Sequence, residues 1–474
     1  MLPVEIERRA RELRKKIAEA KPEYAPIKGT TYYVSADGDD NNDGLSPETA
    51  WKTLDGPDNN FDNIKSGDAI LFRCGDIFSA TYPRPYGLKM TPGVTYSSFG
   101  EGPKPELRGI VGNGVEFDWK EESENLYSLD LGHTLDVGNI FFDDAKEWGY
   151  KLVKGLDNDT TPKMDLEFYH DIAEKKLYLY SEKGSPKERW SNMHIGHRCN
   201  IFGRARPGCV VDNLAFRFCG CYGIQGGSVH YPDDDYCIYY GFSGFTVANC
   251  EFEWIGGSLL GDVTKSTVRG GNGFEIFGGA SNLDVHNCYF NQIYDAALTQ
   301  QWYGRMSEKN KLPVSIEDCV FSGNLFENNT YDYEYFLTEY ETMEAPRPKK
   351  ADSKFCIRNV YFENNICRKN GYGFGNQRPD RYTPASLKSW THQNKSDNFI
   401  VRNNIFDRGD YRLLEIIACE DKYVPTLINN TYCQYLGKGL IYSQGETSML
   451  TPEVSRTKKI FNGEENADLS VARW

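Results

Sequence analysis

Apolar positions near the start of the chain, Ile6, Ala10, Leu13 and Ile17, recur at steps of three and four. That spacing puts them on one stripe of an α-helix, and Pro22 ends it. The stripe predicts a helix that caps the open first coil of whatever follows. From Thr31 the texture becomes short apolar runs separated by polar, glycine-rich turns: Tyr32-Tyr33-Val34, Trp51-Lys52-Thr53-Leu54, then Gly67 through Phe72. Such runs predict strands. Residues 111–195 break this rhythm with more charged strand candidates, including Ile140-Phe141-Phe142 and Leu177 to Tyr180. They read as a small β-rich insertion.

Beyond residue 200 a repeat dominates. Asn213-Leu214-Ala215-Phe216, Asn249-Cys250-Glu251-Phe252, Asn287-Cys288-Tyr289-Phe290 and Asp318-Cys319-Val320-Phe321 share the pattern Asn-x-x-aromatic, the fourth with Asp in the Asn place. Further copies start at Asn364, Asn403 and Asn429, and the copies lie 26 to 46 residues apart. Self-similarity at this period marks a solenoid. Parallel coils place equivalent residues about 4.8 Å apart, so the asparagines can bond from coil to coil and the aromatics can stack inside. Cys250, Cys288 and Cys319 would form an internal thiol column. The expected class is all-β, a right-handed parallel β-helix with an α-helical cap and a small β-rich insertion. Its expected parts are a capping helix (1–28), first coils (29–110), the insertion (111–195), the main β-helix with a groove (196–445) and a tail (446–474).

Charge and composition narrow the function. The 474 residues carry a net charge of −14 without a basic stripe, which argues against nucleic acid as a partner. No run of about 18 apolar residues predicts a membrane helix, and the charged N-terminus lacks a secretory core. A cytoplasmic protein is expected, or a secreted one whose leader has been removed. The 13 cysteines show no zinc spacing. Asp39 to Gly44 matches the first half of a calcium loop, but its twelfth position is Ala50 where a bidentate Glu belongs. No cofactor is expected, and calcium is the one ion with any sequence support.

The stretches Tyr33 to Gly38 and Asp43 to Leu54, with the first-coil segment Gly67 to Arg73, resemble the entry of the pectate-lyase-like family of parallel β-helix proteins. The likeness covers residues of about 31–110 and 200–435. It implies this fold and a carbohydrate partner, without choosing among the hydrolases, lyases, epimerases and other proteins built on the scaffold.

Candidate chemistry follows from aligning the strand that ends each coil. Gly223-Ile224-Gln225, Gly273-Phe274-Glu275, Ala297-Leu298-Thr299, Tyr333-Glu334-Tyr335, Gly373-Phe374-Gly375 and Leu414-Glu415-Ile416 look equivalent. Alternation turns Phe274 and Leu298 inward and puts Gln225, Glu275, Thr299, Glu334 and Glu415 in one outward column. Glu275, Asp295 and Glu334 are the candidate catalytic carboxylates. Candidate substrate-binding side chains are Gln225, Trp254, Thr299, Gln301, Trp302, Gln377, Arg378 and His392, with Gln300, Tyr303, Arg381 and Trp390 in the same predicted walls. Two carboxylates at glycosidase spacing favour a glycoside hydrolase. A lyase or epimerase acting on uronic acids would use Arg378, Arg381, His392 or Tyr335. A non-catalytic carbohydrate-binding solenoid is the third reading.

Overall fold

The computed structural model of the chain describes residues 1–79, 87–226, 242–304, 315–342, 349–350, 356–378, 383–391, 393–457, 464 and 467–472. Three long sheets carry the architecture. Each complete coil visits them in turn, as Ala280–His286 in sheet A, Tyr289–Ile293 in sheet B and Ala296–Gly304 in sheet C. Neighbouring strands within sheets A and B are parallel, for example Ala280–His286 with Ile316–Ser322 and Tyr289–Ile293 with Leu325–Glu327. The chain is therefore a parallel β-helix, as its repeat predicts.

The repeat works through its corners. Asn213, Asn249, Asn287, Asn364, Asn403 and Asn429 all have φ between 52° and 57°. This left-handed conformation suits Asn, whose short side chain can bond locally. Three residues later the aromatics enter the core and stack: Phe216 on Phe252 at 4.7 Å, Phe252 on Phe290 at 4.8 Å, Phe290 on Phe326 at 5.1 Å. These separations match the strand spacing.

One copy of the repeat is shifted. Asp318 sits in a bulged column of sheet A with Asn282, Asn359 and Asn398, all at positive φ, and the corner of its coil is Gly323-Asn324. Two columns of left-handed Asx residues produce the same local pattern, so sequence spacing confuses them. The thiol column is shorter in consequence. Cys250 N–H donates to Cys288 Sγ at 3.4 Å, but Cys288 N–H donates to Asn324 Oδ1 at 2.9 Å, and Cys319 lies elsewhere. From there the column is asparagine. Asn324 donates to Asn365, Asn365 to Asn404 and Asn404 to Asn430, through both backbone N–H and side-chain amide.

The N-terminal helix, Pro3–Ala18, buries Ile6, Ala10 and Ile17. It covers a flank rather than the open first coil. Its stripe packs on Tyr289, Leu325, Ile366, Ile405 and Cys433, the outer face of sheet B. Arg14 pairs with Glu251 at 2.8 Å, Glu7 with Arg408 at 2.7 Å, and the N-terminal amine with Asp468 in the last coil. The helix thus runs lengthwise across several coils, because those coils expose apolar residues beside the only apolar stripe it can offer.

The insertion forms a five-stranded and a three-stranded sheet around its own core of Val137, Ile140, Phe142, Phe168, Leu177, Leu179, Trp190 and neighbours. It docks on the β-helix through the buried Asp136, whose carboxylate accepts from Lys151 Nζ at 2.6 Å and from Leu259 N–H at 2.7 Å. The expected tail is built into the body instead. Glu446–Met449 adds an antiparallel strand to sheet C, and Asp468–Val471 is the last rung of sheet B. Edge strands need covering, and this segment supplies the last pairing partners. Among the described residues no helix is long and apolar enough to cross a membrane.

Candidate active site

Sheet C brings the outward column together in register: Gln225, Glu275, Thr299, Glu334, then Lys388, Glu415 and Tyr442. Lys388 corrects the expected alignment. The rung after Glu334 is Ala385–Lys388, whereas Phe374–Gln377 forms a 3₁₀ turn with Phe374 buried. The glycines around Phe374 imitate the other rungs but do not hold a strand. The true rung, Ala-Ser-Leu-Lys, has neither a β-branched nor an aromatic residue to announce it.

The column faces away from the core yet is covered. Glu275 is 1% exposed, Asp295 8% and Glu334 5%, so these are not solvated surface carboxylates. A second outward row flanks them, in which Tyr331 sits between Ala296 and Ala385. The small alanines leave room beside the tyrosine. Asp295 lies in the turn before Ala296, fixed by its N–H to Gly271 O at 3.2 Å and by Tyr331 N–H to its carbonyl at 3.0 Å. The segment it leans on needs glycine. Gly271 has φ of 134°, and a Cβ there would meet Gly256 Cα and Cys221 O at 2.4 Å.

Each carboxylate has a different setting. Glu275 accepts from Asn272 Nδ2 at 2.5 Å, and Asn272 Oδ1 accepts from Ala296 N–H at 2.8 Å, which ties this acid to the Asp295 turn. Asp295 is ion-paired with Arg378. Glu334 accepts from Trp390 Nε1 and from Thr299 Oγ1, the latter at 3.0 Å. Burial raises the Glu334 carboxyl to about 7, the nearby Asp295 charge adds to the rise, and Trp390, Arg378 and Thr299 oppose it. A hydroxyl can donate or accept, so Thr299 suits either protonation state. Burial also raises the Tyr222 and Tyr331 phenols, with Glu275 and Asp295 near the first and Asp295 and Glu334 near the second. These two tyrosines, Asn272 and Lys388 were absent from the sequence candidates. Tyr222 stands three residues before Gln225 as Asn272 does before Glu275, a spacing that could have revealed both.

Other candidates go elsewhere. Trp302 is 2% exposed and belongs to the β-helix core, one step out of phase with Gln301. Gln301 faces outward beside Phe277 and Phe336. Gln300 and Tyr335 point inward: Gln300 accepts from Tyr333 OH at 2.7 Å, and Tyr335 packs on Phe399 at 5.0 Å. Tyr335 therefore does not reach the outer face of sheet C. Trp254 packs on Phe141 and Trp148 of the insertion, both at 5.6 Å, and Gln377 donates to Gly149 O at 3.1 Å. Both hold the insertion in place. Gln225 accepts from Asn200 at 2.8 Å. His392, Arg381 and the Tyr303 side chain lie outside the described residues. In the loop with calcium-like spacing, Asp40 accepts from Lys52 and Thr53 N–H, and Asp43 from Leu45 N–H. Its carboxylates are used to close the turn.

No family model matches the chain. Over 196 residues it is 32% identical to a lacto-N-biosidase of Bifidobacterium longum subsp. longum, a stretch covering 39% of this chain and 11% of that protein. The chain thus spans about a ninth of that relative's length. A solved structure described as a glycoside hydrolase is 11% identical with a TM-score of 0.47, covering 93% of this chain and 96% of its own. A lacto-N-biosidase from Eubacterium ramulus is 11% identical with a TM-score of 0.35, covering 98% and 70%.

Proposed function

We propose that the chain is a glycoside hydrolase whose substrate lies along the outer face of sheet C. The carrying observation is that Glu334, with a carboxyl raised to about 7, stands two rungs from Glu275 on one face. A carboxylic acid that keeps its proton near neutral pH can protonate a leaving oxygen. Two rungs are about 9.6 Å at the backbone, which suits the roughly 6.5–9.5 Å carboxyl separation of inverting enzymes. The segmental identity to a lacto-N-biosidase supports a glycosidic substrate.

Glu334 gives its proton to the glycosidic oxygen as the bond from that oxygen to the anomeric carbon breaks. Glu275 takes a proton from a water whose oxygen attacks that carbon from the other face. Asp295 holds negative charge beside Glu334, which favours the protonated acid and offsets positive charge developing on the sugar ring. On the rung between the acids the column carries Thr299, a short side chain.

The test is a reducing-end assay over a panel of oligosaccharides with wild type, Glu275→Gln and Glu334→Gln. Each variant should lose about 10²–10⁴ in turnover with unchanged circular dichroism, and nuclear magnetic resonance should show the inverted anomer as first product. Wild-type turnover in both variants would remove the site. A product absorbing in the ultraviolet would instead establish the lyase reading.

A further inference from the structure

Beyond Glu334 the outer face of sheet C continues over rungs that the hydrolytic step does not use. Lys388 Nζ lies 3.8 Å from the ring centroid of Trp390, the residue that donates to Glu334. The same ammonium pairs with Glu415 at 2.7 Å and donates to Thr383 Oγ1 at 2.9 Å. Arg412 reaches Glu415 at 3.4 Å, and its guanidinium lies 4.3 Å from the Tyr411 ring and 4.7 Å from the Tyr442 ring. Gly439 is the register partner of Arg412, so on the next rung the guanidinium meets the Tyr442 ring rather than a side chain at its own register position. Tyr411 is 47% exposed, which places this cluster at a wet rim.

The direction of the groove follows from the acid. A proton donor lies at the glycosidic oxygen, and its partner carboxylate lies on the side of the anomeric carbon. With Glu275 two rungs before Glu334, the departing sugar extends the other way, over Lys388, Glu415 and Tyr442. The charges there are unequal. Two cations flank the carboxylate of Glu415, and the other carboxyl beside Lys388 is that of Glu334, which the hydrolytic step requires protonated; the Lys388 and Arg412 side chains are only 1% and 11% exposed. A largely buried cation without full neutralisation is costly, and an anionic group on the ligand would complete the set.

We propose that these rungs form the leaving-group subsite and that it takes a sugar bearing an anionic substituent, a carboxylate or a sulfate, held by Arg412, with the buried Lys388 adding its charge from beneath and aromatic support from Trp390 and Tyr442. This rests on the glycosidase reading given above. Arg offers a planar fork for such groups, and the aromatic faces suit sugar C–H surfaces.

The experiment uses the full chain and matched oligosaccharides whose leaving residue is glucose, glucuronic acid or glucose 6-sulfate, with the galactose series alongside. Wild type should show at least tenfold higher kcat/KM on one or both anionic series than on the neutral one, and the better series identifies the group. The preference should shrink with added salt and fall toward parity in Arg412→Met and in Lys388→Met, both checked for folding by circular dichroism. Equal or better cleavage of the neutral series by wild type overturns this subsite alone, whatever the variants do. Failure to cleave any member of the panel overturns the glycosidase reading and the subsite together.

Discussion

Glu334 shows how one residue's surroundings set its chemistry. Its carboxyl is raised first by burial and then by the Asp295 charge. In the proposed general-acid role it must be protonated, so kcat/KM should fall above pH about 7. Asp295→Asn removes the neighbouring negative charge and leaves Arg378 uncompensated, and both changes favour the ionised form of Glu334. The alkaline limb of the pH profile should therefore move to lower pH, by about one unit. An unmoved limb would show that Asp295 does not act on Glu334. That Glu275 and Glu334 share a face was legible in the sequence because alternation along a strand assigns faces, whereas Asp295 joins them from the turn before Ala296. Trp302 does not line the wall, because the alternation that turns Leu298 inward, carried on along the same strand, turns Gln300 and Trp302 inward as well.

At the scale of the element, the asparagine ladder replaces ordinary apolar packing at one corner. Asn365 Nδ2 bonds Phe321 O at 2.9 Å and Asn404 Oδ1 at 3.2 Å, and its own Oδ1 accepts from Asn324 N–H at 2.9 Å. Asn365→Ala leaves several buried groups unpartnered and should cost roughly 3 kcal/mol. A denaturant titration should show a lower midpoint with an unchanged slope. A loss under 1 kcal/mol would mean that water or a shifted corner replaces these bonds. A recurring asparagine was legible as a motif, but the residue that builds the ladder was not: Asn365, Asn404 and Asn430 stand one place after the motif residues Asn364, Asn403 and Asn429, and only strand pairing shows that the coil of Asp318 turns at Asn324 instead.

For the whole molecule, the N-terminal helix acts as a strap along sheet B. Ile6 and Ile17 are fully buried in that contact. The double variant Ile6→Asp, Ile17→Asp places two charges against apolar surface and should detach the helix, at a cost of about 4 kcal/mol. Melting temperature should fall and protease cleavage within residues 19–28 should quicken, while activity persists because the groove lies on sheet C. Loss of activity with an intact melting temperature would contradict this division of labour. The insertion has the opposite character, since Trp254 and Gln377 dock it beside the carboxylates.

The repeat alone determined that coils stack, because a period of Asn and aromatic residues can bury its apolar face only by piling one unit on the next. It also determined that Glu275, Thr299 and Glu334 share a face, because side chains alternate along a strand. Only the tertiary structure decided which residues interrupt that order. The rung of Lys388, the strap along sheet B and the cover over the acids all depend on contacts between segments far apart in sequence. Local pattern carries no record of such contacts, and they also set how strongly Glu334 holds its proton.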